Sequence, residues 1–501
     1  MIRLPLLVQR HSFGSLLCAL MVSLSGCVTA YRPPPTTKVM SDCTDYENHL
    51  AKVIGAKKGE RFASGHPDIA KFSEGKLSLS LKASNIRDGR NGAHSDDNAD
   101  PIIVRYSEGG DLVSRCDYNR ALQALVQMPS ESKTVVVYIH GWNNDSGSQA
   151  NRFYNYGDFP DPDDVKGGDL FRFSELLQSY RDVEKAREIK TGRQPTKVIG
   201  IFVSWKGGSP IPYLDYWSRR SGADKLGRGG QVARLLSGLE SISSQQEMAS
   251  NSEGQSPIDN KLIYIGHSMG ARVLYNSVAP KLISDAQHAF PRENEKTHRN
   301  IVSAADLILL INPALEASSY KSVDEYRYVE KPFHKDQLPL LLTIQSEGDV
   351  PTRTAFALAE GVGLINDPWQ SAQRRRTIGH SERLFQTHYL KPVDACPPKE
   401  AQEVKLKASF CAANLLMSSC PTPRFAGETA DLAKNCPDIK PLTSKASRKL
   451  KASPFLVIRA EQGALRGHSW MSEKDSNFGK WLIDYILKFN ETSENRAPSG
   501  S

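Results

Sequence analysis

Gly266-His267-Ser268-Met269-Gly270 places a serine between two glycines, each two residues away. The apolar run Leu262-Ile263-Tyr264-Ile265 precedes it, and the helix-compatible stretch Ala271-Arg272-Val273-Leu274-Tyr275 follows. The order is therefore strand, sharp turn, helix. A serine at the apex of such a turn lifts its hydroxyl clear of the sheet edge, where it can attack a carbonyl carbon. The flanking glycines let strand and helix approach without a Cβ between them. Attack builds negative charge on the carbonyl oxygen, and that charge needs donors fixed in advance, commonly backbone N–H groups. Val135-Val136-Val137-Tyr138-Ile139, which runs into His140-Gly141-Trp142-Asn143-Asn144, offers a place for them. Gly141 lets the backbone pass close to a substrate, the N–H of Trp142 is placed to donate, and the N–H of Met269 is the second donor. The plainer reading of Ser268 is a residue that merely caps the helix after it.

Taken together, the Val135–Trp142 and Leu262–Gly270 segments resemble the serine esterases and lipases of the α/β-hydrolase superfamily, over about Val135 to Phe489. The resemblance implies an α/β fold with a mostly parallel central sheet flanked by helices. It also implies a triad in the order serine, acid, histidine, the later two each just beyond a later strand. His140 precedes the serine, so that order leaves it to organise its loop with Gly141 rather than to act as base. After the serine helix, Asp306–Ile311 ends at a turn signal, Asn312-Pro313. Leu340–Ile344 leads into Gln345-Ser346-Glu347-Gly348-Asp349, so Asp349 stands just past a strand end, where an orienting carboxylate belongs. Glu347 is the neighbouring alternative, and a solvated loop acid the plain one. Three histidines follow: His380, His388 and His468. The resemblance favours His468, which lies between a final strand at Phe455–Arg459 and an amphipathic helix at Phe478–Leu487. His380 and His388 stand in a stretch with no strand before it and are the alternatives, read otherwise as hydrogen-bonded structural residues.

In that arrangement His468 takes the serine proton during attack, Asp349 fixes the imidazole, and an acyl-enzyme forms and is hydrolysed. The expected substrate is a small-molecule or lipid carboxylic ester. The same triad serves thioesters, amides and phospholipids, and a silent hydrolase-fold protein kept for binding is the reading from another class. No metal and no cofactor is called for: the cysteines lack C-x-x-C spacing and the histidines lack H-E-x-x-H.

The elements that must hold these residues belong to a long chain. Its 501 residues, 39% hydrophobic, suffice for one large α/β domain with insertions. Residues 131–490 are read as that domain. Residues 41–130 are read as a preceding segment with a possible strand, Leu77–Leu81, and a hairpin, Ile102–Tyr106, turning at Gly109-Gly110; the hairpin is expected to form the early antiparallel part of the sheet. Tyr118–Val126 and the charged Leu170–Lys190 read as helices, and Lys197–Trp205 as a strand. The aromatic, proline-broken segment Pro210–Trp217 is read either as an acyl-pocket lining or lid, or as an ordinary packed loop. Residues 381–454 read as a disulfide-stapled, cysteine-containing insertion before the last strand and a candidate roof over the active site, a place where substrate choice often resides. Residues 491–501 read as a disordered tail.

Residues 1–26 read as an export signal: Arg3, Arg10 and His11, then an apolar stretch from Ser12 to Ser25 too short to span a bilayer. Leu24-Ser25-Gly26-Cys27 resembles the lipobox cut before a diacylated cysteine, so Cys27 is the expected lipidation site and residues 27–40 a proline-rich tether. Val28, rather than aspartate, points to an outer-membrane destination facing the periplasm. Cys43, Cys116, Cys396, Cys411, Cys420 and Cys436 then remain, an even number suited to an oxidising compartment. Proximity suggests a Cys43–Cys116 bridge and two bridges within the later four. The net charge of +8 falls to +6 without Arg3 and Arg10, a basic surplus that favours anionic envelope surfaces. No nucleic-acid recognition motif accompanies it, and the oligomeric state is not readable.

Overall fold

The computed structural model describes residues 68–69, 79–80 and 101–494, the last with breaks at 108, 114, 127–130, 143–167, 193–195, 208–215, 253–257, 304, 329–330, 332, 335–336, 358–375, 381–385, 395–408, 420–452 and 472–475. Strands β1 (Asp68–Ile69) and β2 (Leu79–Ser80) pair antiparallel as a separate two-stranded piece. Strands β3 (Ile102–Tyr106), β4 (Lys133–Ile139), β5 (Lys197–Trp205), β6 (Lys261–His267), β7 (Leu307–Ile311), β8 (Leu341–Ser346), β9 (His388–Pro392), β10 (Ser409–Ala412), β11 (Leu415–Ser419) and β12 (Phe455–Ala460) form one sheet. Their order is β10-β11-β9-β12-β8-β7-β6-β4-β5-β3. Every neighbouring pair from β3 across to β9 is parallel, and β11 runs antiparallel to both β9 and β10.

The unbroken apolar runs follow from a sheet covered on both faces. In β4, Val135, Val137 and Ile139 enter one core while Val136 and Tyr138 enter the other. Helices α1 (Arg115–Val126), α2 (Asp169–Thr191), α3 (Tyr216–Arg228), α4 (Gln231–Ser252), α5 (Met269–His288), α6 (Ala317–Asp324) and α7 (Ser476–Glu494) supply the outer layers. Residues of α1, α3, α4, α5 and α6 pack into the first core, and those of α2 and α7 into the second. The fold is thus a three-layer α/β architecture whose strands deliver their C-terminal ends to one edge.

Three expectations are corrected. Ile102–Tyr106 is a parallel edge strand against β5, not the first arm of an antiparallel hairpin. After the Gly109-Gly110 turn only Leu112 bridges back to Tyr106, because the chain enters α1 three residues later and leaves no length for a second arm. Within 381–454, β9, β11 and β10 widen the sheet beyond β12, so the described part of the insertion is an edge ribbon rather than a roof. The last helix runs to Glu494, four residues past the domain end expected at 490.

Cys116 is buried at the start of α1 and disulfide-bonded; Cys43, its expected partner, lies outside the described residues. So do Cys396, Cys420 and Cys436, while Cys411 falls on β10. Among the described residues no helix is long and apolar enough to cross a membrane. The leader, Cys27 and the tether lie outside them.

Candidate active site

Ser268 sits between the end of β6 and the start of α5 with φ 53° and ψ −120°. A side-chain-bearing residue in this region costs about 1–3 kcal/mol and persists only when its surroundings hold it. Here the Ser268 N–H donates to the Ile311 carbonyl at 3.0 Å. Its own carbonyl accepts from the N–H groups of Ala271 (3.1 Å), Arg272 (3.3 Å) and Ala314 (3.1 Å). The flanking glycines are sterically required. A Cβ on Gly266 would lie 2.6 Å from the Ala271 Cα, and one on Gly270 would lie 2.1 Å from the Ile139 carbonyl oxygen and 2.3 Å from that of His140. Gly270 thereby presses the first turn of α5 onto the end of β4. Gly141 presses back, since a Cβ there would meet the Ser268 Cβ at 2.9 Å.

Against this serine stands His468, from the loop after β12. Its Nε2 lies 2.9 Å from the Ser268 Oγ and its Nδ1 2.9 Å from the Asp349 Oδ1. A serine O–H donating to Nε2 and an Nδ1–H donating to the carboxylate satisfy both contacts with one neutral tautomer. Asp349 is fully buried just beyond β8, where one π-helical turn, Pro351–Ala355, follows it. Its Oδ1 also accepts from the Thr352 N–H at 3.1 Å, and its Oδ2 from the Gln345 amide at 2.8 Å. Burial by itself raises a carboxyl's pKa, but His468 and then Thr352 outweigh it and hold Asp349 down at about 2. It is a carboxylate throughout the neutral range. Gly348 brings this acid loop onto the base loop, for a Cβ there would lie 2.1 Å from the Arg466 carbonyl oxygen.

Sequence reasoning missed the polar frame behind these three. Asn312, at φ 45°, donates from Nδ2 to the carbonyls of Gly467 (2.8 Å) and His468 (2.9 Å). Its Oδ1 accepts from the Ser346 N–H at 2.8 Å and from the Gln345 amide at 3.2 Å. His267 donates from Nε2 to the same His468 carbonyl at 2.8 Å. Behind it lies Asp169, which accepts from the Tyr138 hydroxyl at 2.8 Å. The available signals were position only: Asn312 directly follows one strand, and His267 directly precedes the serine.

One turn along α5, the buried Arg272 ties the serine helix to its neighbours. Its guanidinium meets Asp224 of α3 at 2.6 and 2.9 Å and Glu316 at 2.7 Å. Glu316 also pairs with Arg220. Burial opposes ionisation of Glu316, yet Arg272 and then Arg220 pull its pKa down to about 2.

Of the two N–H groups read as oxyanion donors, that of Met269 belongs to the first residue of α5 and has no intrahelical acceptor. Trp142 is half-buried in the turn after β4, its ring edge-on to Tyr216 at 6.0 Å, and Tyr216 meets Phe356 at 6.2 Å. His140 has its ring committed to this loop. Nδ1 contacts the Gly141 carbonyl at 2.8 Å, and Nε2 accepts from the Trp205 N–H at 3.1 Å. The Trp205 indole N–H donates to the His140 carbonyl at 2.9 Å.

The alternative residues do not bridge Ser268 and Asp349 as His468 does. His380 is beside Asp349, and burial pushes its pKa down to about 4. His388 is the first residue of β9 with Nδ1 3.0 Å from the Thr387 Oγ1, and burial likewise takes it to about 4. Glu347 pairs with Arg459 at 2.7 Å. Of Pro210–Trp217, residues 210–215 lie outside the described residues, while Tyr216 and Trp217 open α3.

No protein-family model matches the chain, and no curated protein does. Among solved structures, an uncharacterized protein from Pseudomonas aeruginosa is similar at 9% identity over 46% of this chain and 38% of that one, with a TM-score of 0.22. A cutinase from Trichoderma reesei, solved with a C11Y4 phosphonate inhibitor, is similar at 14% identity over 46% of this chain and 73% of that one, with a TM-score of 0.16. The matched region spans well under half of the Pseudomonas protein. Both likenesses are too distant to bear on the chemistry, and the α/β architecture stands on the sheet itself.

Proposed function

We propose that this chain is a serine hydrolase that cleaves carboxylic esters through an acyl-enzyme, with Ser268 as nucleophile, His468 as base and Asp349 as orienting acid. The observation that supports it most is the single imidazole bridging a strained-turn serine and a buried carboxylate at 2.9 Å on each side. A serine hydroxyl is a poor nucleophile at neutral pH, so His468 removes its proton as Oγ attacks the ester carbonyl. The oxyanion that forms is received by the N–H groups of Met269 and Trp142. The imidazolium, stabilised by the Asp349 carboxylate, returns the proton to the departing alcohol. Water then repeats the sequence on the acyl-enzyme and frees Ser268. Cys27 carries the lipid that anchors the enzyme to the envelope, facing the periplasm, and Cys43 pairs with Cys116.

The test is labelling of the detergent-solubilised full chain with a fluorophosphonate probe, beside Ser268→Ala and His468→Ala. Labelling of the wild type and its loss in both variants is expected, followed by turnover of p-nitrophenyl esters. Folded wild type that takes no label would instead favour a silent binding protein. Labelled protein that hydrolyses thioesters or amides and spares oxygen esters would keep the triad and change the substrate.

A further inference from the structure

We propose that His267, the residue before the nucleophile, is a positioning residue that sets the place of the base through the backbone of His468; this rests on the hydrolase reading above. A carbonyl oxygen only accepts, so the 2.8 Å contact to the His468 carbonyl requires a proton on Nε2 of His267. The tautomer of the neutral ring is thereby fixed, and Nδ1 is turned toward Asp169. That nitrogen has no hydrogen-bond partner among the described residues, and the Asp169 Oδ2 lies 3.8 Å away. At that distance the contact is electrostatic rather than a hydrogen bond. His267, Asp169 and Tyr138 are all buried.

Asp169–His267 thus differs from Asp349–His468: Asp349 accepts the Nδ1–H of its histidine, whereas the proton that the His468 carbonyl requires on Nε2 leaves Nδ1 of the neutral His267 ring without one on the Asp169 side. The two rings lie 4.9 Å apart. The His468 carbonyl receives a second donor from Asn312 at 2.9 Å, so both of its lone-pair directions are taken. The clamp has a geometric consequence. His267 and Ser268 are consecutive, so the end of β6 carries both the nucleophile and one of the two donors that hold the base beside it. The Oγ–Nε2 separation is thus set largely from one rigid strand end, and an error of about 1 Å there costs on the order of 100-fold in rate.

The experiment compares three variants of the full chain, each checked by thermal unfolding, for the fluorophosphonate labelling rate and for kcat and KM on a p-nitrophenyl ester. His267→Gln keeps an N–H donor at the reach of Nε2, whereas His267→Leu keeps bulk and loses the donor. His267→Asn carries an amide too short to reach the carbonyl, and it reads the same way should the leucine variant not fold. Labelling and kcat about 30- to 100-fold below wild type are expected for Leu and Asn, with KM within about twofold and Gln within about threefold of wild type. Leu or Asn at the wild-type rate, or Gln as slow as Leu, overturns the inference while leaving the hydrolase reading intact. A wild type that takes no label overturns both.

Discussion

Gly270→Ala adds one methyl group at a point where the structure leaves no room for it. The new Cβ would stand 2.1 Å from the Ile139 carbonyl oxygen and 2.3 Å from that of His140, both rigid backbone. Relief even to a tight 3.0 Å contact requires about 0.9 Å of separation between the first turn of α5 and the end of β4. Met269 opens α5 and Trp142 follows the end of β4, so the displacement falls across the pair of N–H groups proposed to receive the oxyanion together. A misplacement of about 1 Å is worth about 100-fold, or about 2.7 kcal/mol of transition-state stabilisation. The strain also costs about 1–3 kcal/mol of stability. Gly467→Ala is the matched control: it directly precedes the base, yet a Cβ there meets nothing within 4 Å. Second-order rate constants for fluorophosphonate labelling, read beside urea unfolding, separate the two. A drop near 100-fold is expected for Gly270→Ala and less than about twofold for Gly467→Ala. Folded Gly270→Ala that labels at the wild-type rate would refute the idea that helix and oxyanion loop are locked together here.

Asp349→Asn is expected to lower kcat about 10⁴-fold by losing the tautomer that His468 needs. Because the Asp349 pKa is lowered to about 2, its contribution to stability is full above about pH 4 and fades as pH falls toward 2. The urea-stability gap of about 2–3 kcal/mol between wild type and this variant should therefore shrink over that window; a gap that stays constant would count against the assignment. Arg272→Met leaves Glu316 with Arg220 alone and takes both Arg272 contacts from Asp224, and it should cost about 3–5 kcal/mol in urea unfolding. A loss below about 1 kcal/mol would show that the buried pairs are not structural. Cys27→Ser should abolish incorporation of labelled palmitate and move the chain from the membrane to the soluble fraction, and unchanged membrane partition would refute lipid anchoring at this residue.

The central strands were legible because their signal is local. Val135–Ile139 and Leu262–Ile265 announce burial on both faces, and each ends in the residues whose chemistry matters. The order of serine, acid and histidine came from the resemblance to the α/β-hydrolase superfamily, and the apolar runs only supplied the strand ends at which to look for the later two. What escaped was decided by tertiary neighbours. β3 reads as a hairpin arm because Gly109-Gly110 invites a turn, but its partner residues on β5 lie 99 positions downstream, as Ile102 against Ile201 shows. β9 and β11 are interrupted by Lys391, Ser418 and Ser419, so neither alternation nor an apolar run marks them. Gln345 and Ser346 look like the start of a loop, yet they complete β8 and are buried, with the Gln345 amide N–H donating to Asn312 and Asp349 and the Ser346 hydroxyl to the Leu465 carbonyl. Such networks depend on which strand ends become adjacent, and no window of sequence contains that information.

Ser268 and His468 are 200 positions apart, and His468 and Asp349 are 119 apart. Each meets the others only after β6, β7, β8 and β12 have aligned side by side, the slowest kind of contact for a chain to make. A chain threaded unfolded through a secretion channel would therefore carry no reactive serine, since the base that activates it is still far away. Probe labelling of Ser268 would in that case report the completed sheet, registering native molecules and ignoring partly assembled ones.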